Sequence, residues 1–236
     1  MTKMRRVKWI VAVGGAVVVV AAVLGVLYFR SGTSPAPLTL NSTATPAPAA
    51  SLDPSQATGT WTIAAGSVAG YRVREQLAQL PAPSDAVGRT SSITGTITLA
   101  SEPSGRPVVT AAAFSVDVAT LKSDRAMRDN RIRVLGLQTN TYPTATYRAT
   151  VPTMLPATVA SGAVVKVSTT GELTLHGVTK TVTIPLQARL TGSEIDVVGS
   201  LTFPFEQFGM QPPSIGGFVS VVDSATREFE LRLKHA

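Results

Sequence analysis

The chain contains no cysteine and only two histidines, and both shortages limit the chemistry that it can support. Without cysteine it can form no disulfide, no thiolate metal site and no thioether-linked anchor. Zinc sites need three or four ligands, and neither His176 nor His235 belongs to a motif such as H-E-x-x-H. We therefore expect no metal centre and no disulfide framework.

Recognisable catalytic motifs are also missing. A nucleophilic serine needs a histidine that is oriented by a carboxylate, and the sequence has no G-x-S-x-G motif to support one. His176 lies in the stretch GELTLHGVTKTVTIPL, where an alternating apolar run breaks at Gly177. Because glycine tolerates positive φ, this pattern favours a hairpin turn. We predict no catalytic residue and no enzymatic activity, and a hydrolase that uses His176 is the remaining enzymatic hypothesis.

Charged residues are scarce, at 15% of the chain, and the net charge of +7 is unevenly distributed. Five basic residues flank the first apolar run, and without them 16 basic residues face 14 acidic ones. Binding to a phosphate backbone requires a clustered basic surface, so we predict no nucleic-acid partner. The five flanking residues are Lys3, Arg5, Arg6, Lys8 and Arg30.

The single long hydrophobic run, residues 9–29, predicts a transmembrane signal anchor. As a helix rising about 1.5 Å per residue it is long enough to cross a hydrocarbon core of about 30 Å. It ends in LYFR rather than in a small-x-small cleavage site, which favours an anchor that is not cleaved. Four basic residues before the run and one after it place residues 1–8 in the cytoplasm. We expect a single-pass protein of the cytoplasmic membrane whose C-terminal part is extracytoplasmic.

Residues 30–58 predict a disordered linker, because residues 31–58 contain five prolines and one charged residue and can bury little apolar surface. Residues 59–236 have the size of one domain. Runs of β-branched and aromatic residues alternate there with polar ones, which predicts an antiparallel all-β domain of about eight strands. The runs are WTI with GYRVREQ, SSITGTITL, VVTAAAFSVDV, ATYRATVP, VVKVSTTGELTL, VTKTVTIPLQARL, EIDVVGSLTF and REFELRLK.

One face of these strands carries apolar residues that we predict to be buried. Alternation does not decide whether they line a ligand-binding cavity or fill the interior with side chains. The candidates are Tyr71, Val73, Ile97, Phe114, Val116, Tyr147, Leu173, Leu175, Val182, Ile184, Leu201, Phe203 and Phe218.

One segment departs from the strand pattern, and its apolar spacing predicts a single short helix from about Asp124 to Leu135. Ser123 is the expected cap, and Gly136 the expected end. This helix carries the only concentrated positive charge of the domain. Its arginines are candidate contacts for a phosphate or acidic head group, and the alternative is a solvated face whose Arg128 and Asp129 fasten the helix to the barrel. The four candidates are Arg125, Arg128, Arg131 and Arg133.

Three fragments, in this order, resemble the YceI-like family of lipid- or polyisoprenoid-binding domains. They are Arg128-Asp129 on the helix, YPTATY at residues 142–147 and GELTLHGVT at residues 171–179. The resemblance runs from about Trp61 to the C-terminus. It implies an extended lipocalin-like antiparallel β-barrel whose apolar interior holds a long isoprenoid chain, in proteins exported to the bacterial envelope. It implies neither a metal nor an established reaction.

The sequence as a whole thus predicts a membrane-anchored, extracytoplasmic protein that sequesters or carries a polyisoprenoid amphiphile of the isoprenoid quinone or polyprenyl phosphate type. Its partners would be this lipid and, through the N-terminal helix, the membrane, with no cofactor other than the bound lipid. The alternative is an envelope protein-interaction or stress-related module with a filled barrel. Oligomeric state is left open.

Overall fold

The structure is a computed structural model, and it describes residues 34–40, 57–77, 83–191, 193–212 and 219–236. The predicted signal anchor and most of the predicted linker lie outside these ranges. Within the ranges, none of the helices combines the length and the apolar character that a membrane crossing requires.

The described domain consists mainly of antiparallel strands. In chain order they are β1 (Gly59–Ile63), β2 (Val68–Leu77), β3 (Ser84–Thr90), β4 (Ile93–Ser101), β5 (Pro107–Asp117), β6 (Thr144–Ala149), β7 (Thr153–Met154), β8 (Val165–Leu175), β9 (Val178–Thr191), β10 (Glu194–Phe203), β11 (Val219–Val221) and β12 (Ala225–His235).

Eight of these strands close into a barrel, in the order β1-β4-β5-β6-β8-β9-β10-β12. Closure comes from β12, whose last residues pair with β1 while its first residues pair with β2. The change of partner occurs at Ser67, a buried serine whose hydroxyl oxygen accepts the Arg232 N–H at 2.9 Å. The predicted eight-stranded, all-β barrel with one short helix is therefore confirmed.

Strands β3, β7 and β11 were not predicted. Strand β3 has the sequence SDAVGRT, which contains little of the β-branched and aromatic character on which strand prediction depends. It forms because seven of its residues pair in register with β2, from Ala69–Thr90 to Glu75–Ser84. Gly88 permits this pairing, since a Cβ atom there would lie 2.3 Å from the Tyr71 ring.

The helical segment ends at Gly136, as predicted, and begins at Ala126, two residues after the predicted start. An α-helix, α1, spans Ala126–Arg131, and one π-helical turn, Ile132–Gly136, follows it. Ser123 does not cap α1, because Asp129 engages it: the Ser123 N–H and hydroxyl donate to the Asp129 carboxylate at 2.9 and 2.6 Å. The Ser123 hydroxyl oxygen in turn accepts the Arg125 N–H, so the chain turns before the helix begins.

Candidate functional site

The barrel encloses an internal cavity of about 200 Å³. Its wall includes residues from seven of the eight strands of the ring, β4, β5, β6, β8, β9, β10 and β12. Along β12 the wall includes the alternate residues from Arg227 to Leu233, which at about 3.4 Å per residue is a length of about 20 Å, and it also includes Glu228. The lining side chains are mostly aliphatic, so the cavity suits a long apolar molecule.

Eight of the thirteen residues that the sequence placed on the inner face line this cavity. They are Ile97, Phe114, Val116, Tyr147, Leu173, Leu175, Ile184 and Leu201. Their role in binding a ligand stays a prediction.

Four others do not line the cavity, and Phe218 lies outside the described residues. Tyr71, Val182 and Phe203 are buried, whereas Val73 is only partly buried. Tyr71 and Phe203 belong to a packed cluster in which Phe203 and Phe208 stack edge to face, with ring centroids 4.8 Å apart. Side chains fill the interior there. Alternation therefore identified buried positions without distinguishing the cavity wall from this packed cluster.

The lining also contains polar groups. The Tyr147 hydroxyl and Thr169 Oγ1 are hydrogen-bonded at 2.9 Å, and burial raises the pKa of Tyr147. Glu228 is buried, and its carboxylate accepts hydrogen bonds from Arg89, with a shortest distance of 2.9 Å, while Arg72 lies 3.5 Å away. The charge of Glu228 is therefore compensated.

Arg227 is the other charged residue on the wall, and its situation differs. Within the part of the chain that the structure describes, it forms no ion pair, and its buried Nε has no hydrogen-bond partner. Burial lowers its pKa to about 10, an effect that the neighbouring Tyr71 partly offsets. At neutral pH the guanidinium is thus charged, and Arg227, which is partly buried, contributes it to the wall of an apolar cavity.

Sequence analysis missed Arg227, although a signal was present. In the run REFELRLK the apolar residues Phe229, Leu231 and Leu233 follow one another at every second position, and Arg227 falls in the same phase. Strand alternation places residues of one phase on one face. The sequence pattern therefore predicts an arginine at an inward-facing position of this strand.

None of the four helix arginines lines the cavity. Arg128 donates to Glu75 of β2 at 2.7 Å and to Asp124, and Arg125 Nε lies 3.4 Å from Asp124. Burial by itself would lower the pKa of Arg128, but the Glu75 and Asp124 carboxylates raise it above its ordinary value. The ion pair with Glu75 joins the helix to β2, as the alternative interpretation expected of Arg128, whereas Asp129 accepts hydrogen bonds from Ser123 instead.

The remaining two arginines of the helix segment, Arg131 and Arg133, are exposed. Nothing in the structure tests a head-group contact for any of the four, so that role stays a prediction.

His176 occupies the first position of the two-residue turn between β8 and β9, with φ of 52° at His176 and 73° at Gly177. Two successive positive φ angles are typical of a type I′ hairpin turn, so the predicted hairpin is confirmed. Its Nδ1 lies 3.2 Å from the Phe208 carbonyl oxygen, and its ring packs edge to face on Tyr142. His235 Nε2 lies 3.0 Å from the Thr58 carbonyl oxygen.

No group of three or more potential metal ligands occurs in the ranges that the structure describes. The site is therefore defined by the apolar wall and by Arg227.

Comparison with solved structures shows what the fold resembles. The chain is similar to a polyisoprenoid binding domain from Saccharophagus degradans, with 17% identity, a TM-score of 0.55 and coverage of 76% of this chain and 99% of that one. It is also similar to BcnA of Burkholderia cenocepacia, with 21% identity, a TM-score of 0.48 and coverage of 69% and 95%. A Campylobacter jejuni YceI protein matches at 13% identity and a TM-score of 0.48, with coverage of 68% and 91%.

At these identities the Saccharophagus degradans structure supports the fold alone. No match was found among curated proteins. The family model of the YceI-like domain, however, matches residues 51–233, which include every residue of the cavity wall and the whole barrel except Lys234 and His235 at the end of β12. The chain therefore belongs to the YceI-like domain family.

Proposed function

We propose that this protein binds a long-chain lipid amphiphile, of the polyisoprenoid class, inside its barrel. The observation that carries the proposal is the internal cavity of about 200 Å³, whose wall is almost entirely apolar. Transferring apolar ligand surface from water to such a wall is favourable by about 25 cal/mol per Å². Binding of this kind needs no covalent step, and none of the residues described above forms a catalytic arrangement.

The isoprenoid part of the proposal has support from a relative. The similar structure from Saccharophagus degradans is named as a polyisoprenoid binding domain, and its fold covers 76% of this chain. A linear chain also fits the elongated wall, along which Arg227 and Leu233 mark the two ends of a stretch of about 20 Å on β12. The cavity favours lipid binding over the hypothesis of a filled interaction module.

We further propose that the N-terminal segment anchors the protein and that the barrel is extracytoplasmic, where it would meet lipids of the bacterial cytoplasmic membrane. The support is the charge-free run of residues 9–29 and its flanking basic residues. Protease digestion of intact spheroplasts tests this arrangement, because an extracytoplasmic barrel is accessible to the protease. Protection of the barrel would contradict the proposed topology.

Blocking the cavity tests lipid binding. Ala112 of β5 is buried and lines the cavity, whereas its neighbour Ala113 is exposed. We expect Ala112→Phe to reduce the lipid that copurifies with the full chain, and Ala113→Phe, with the same change of volume, to leave it unchanged. Organic extraction followed by mass spectrometry provides the measurement. Lipid that is equally abundant in both variants would show that it binds elsewhere.

A further inference from the structure

Arg227 is a charged residue for which the described structure provides no countercharge. Its side chain belongs to the cavity wall, and the inward-facing positions that follow it on β12 are Phe229, Leu231 and Leu233. Its Nε is buried without a hydrogen-bond partner in the described structure, which is unfavourable because protein replaces part of the water that solvates the charge. The apolar tail of a lipid cannot by itself lower this free-energy cost, because it carries no group that accepts a hydrogen bond or compensates a charge.

The immediate neighbours of Arg227 narrow the choice of partner. On the adjacent strands it pairs with Leu201 and Tyr71, neither of which carries a charge at neutral pH. The Tyr71 hydroxyl is buried near Ser123 and Arg128 at the start of the helix, and Tyr71 does not line the cavity. The guanidinium by itself offers five N–H donors, and an anionic oxygen group can accept several of them.

We propose that Arg227 binds the anionic head group of the lipid inside the barrel, with the apolar tail extending along β12 toward Leu233. The ligand class is thus an amphiphile whose head carries anionic oxygens, such as a prenyl phosphate, rather than an uncharged amphiphile. This inference rests on the proposed lipid-binding function and specifies its ligand.

The charge of Arg227 favours an anionic ligand group over a neutral hydrogen-bond acceptor. A quinone carbonyl would accept hydrogen bonds from the guanidinium but would leave its positive charge uncompensated. Phosphate oxygens compensate the charge and also accept two parallel hydrogen bonds from arginine. Arg128 is less suited to this role, since it is already paired with Glu75 and lies off the cavity wall.

A competition experiment tests the proposal on the delipidated full chain. The two probes are a prenyl monophosphate and the prenyl alcohol with the same chain, mixed in equal amounts. Native mass spectrometry measures the ratio of the two complexes, and inorganic phosphate is added in a separate arm. We expect wild-type protein to prefer the phosphate by about 10- to 100-fold, the range for a hydrogen-bonded charge pair.

Three variants make the test specific, and two of them, Arg227→Met and Arg148→Met, have the same net charge. Arg227→Met should abolish the preference and leave binding of the alcohol intact, because methionine preserves an unbranched apolar wall. Arg148→Met removes an exposed arginine of β6 and should keep the preference of the wild type. Arg227→Lys should retain part of it, since lysine keeps the charge and loses the bidentate geometry.

The possible failures are distinguishable. If the wild type binds both probes equally, or if Arg227→Met keeps the preference, the head-group site is wrong while lipid binding stands. If the wild type binds neither probe, the proposed function fails as well. If inorganic phosphate alone displaces the prenyl phosphate at similar concentration, the site binds free anions and the assignment to a lipid head group is overturned.

Discussion

At the scale of single residues, the proposed role of Arg227 in ligand binding has a cost in the folding stability of the ligand-free protein. A charge that is buried for the benefit of a ligand should destabilise the protein when the ligand is absent. Replacing buried ionic groups by apolar ones of similar volume is often stabilising by about 1–4 kcal/mol. We therefore predict that Arg227→Met raises the free energy of unfolding of the lipid-free protein by an amount in this range.

Chemical denaturation of the delipidated protein measures this difference. Arg148→Met, the exposed counterpart, should stay within about 0.5 kcal/mol of the wild type. A lower stability of Arg227→Met would mean that the arginine serves mainly to hold the fold together.

Tyr71 gives a prediction for alkaline pH. Burial raises its pKa far above the ordinary value of 10.0, so above pH 10 the unfolded chain releases a proton that the folded chain keeps. The unfolded state is then stabilised, and this contribution to folding is lost as pH rises. Arg227 acts in the opposite direction, because its pKa falls to about 10 in the folded state.

The Tyr71→Phe variant separates the two effects, since phenylalanine does not titrate. Relative to the wild type, its stability should increase by up to about 1.4 kcal/mol per pH unit above pH 10. Denaturation midpoints of both proteins between about pH 8 and pH 11 provide the comparison. Parallel pH profiles would show that Tyr71 titrates normally.

At the scale of elements, the β8–β9 hairpin depends on the backbone of its turn. Gly177 has φ of 73°, and a Cβ atom there would lie 2.6 Å from the Tyr142 ring. Gly105 has a similar φ of 79° but has open space around it. We predict that Gly177→Ala costs clearly more stability than Gly105→Ala, which should cost about 1 kcal/mol for the backbone alone.

Thermal unfolding of the two variants checks this prediction, with His176→Asn as a companion. Asparagine also tolerates the left-handed backbone conformation, so His176→Asn should fold and keep its bound lipid. Loss of lipid binding in that variant, without loss of stability, would indicate a direct functional role for the histidine.

The helix shows how tertiary contacts decide an element. The segment has a helical apolar pattern, yet α1 begins only at Ala126, because Ser123 and Asp129 bond to each other at its start. Arg128 then ties the helix to β2 through Glu75. The contact with Glu75 uses the charge of Arg128, one of the four head-group candidates, whereas Arg131 and Arg133 are exposed.

At the scale of the whole molecule, lipid and barrel should stabilise each other. A ligand that binds only the folded state adds about 2.7 kcal/mol at a concentration of 100 times its Kd. We predict that delipidation lowers the Tm of the wild type, and that Ala112→Phe, with a blocked cavity, shows a smaller decrease. Calorimetry before and after extraction gives both values. Equal decreases in the two proteins would contradict ligand binding at this cavity.

The sequence alone determined the all-β class, most of the strands and the inward phase of residues such as Leu173 and Ile184, because side-chain alternation is a local property of a strand. It also contained the phase of Arg227. Only the tertiary structure decided that β3 pairs with β2, that side chains fill the interior around Phe203 while a cavity remains beside Leu201, and that Arg227 has no countercharge among the described residues. Cavities and missing partners depend on residues far apart in the chain, whose distances are fixed only when the barrel closes.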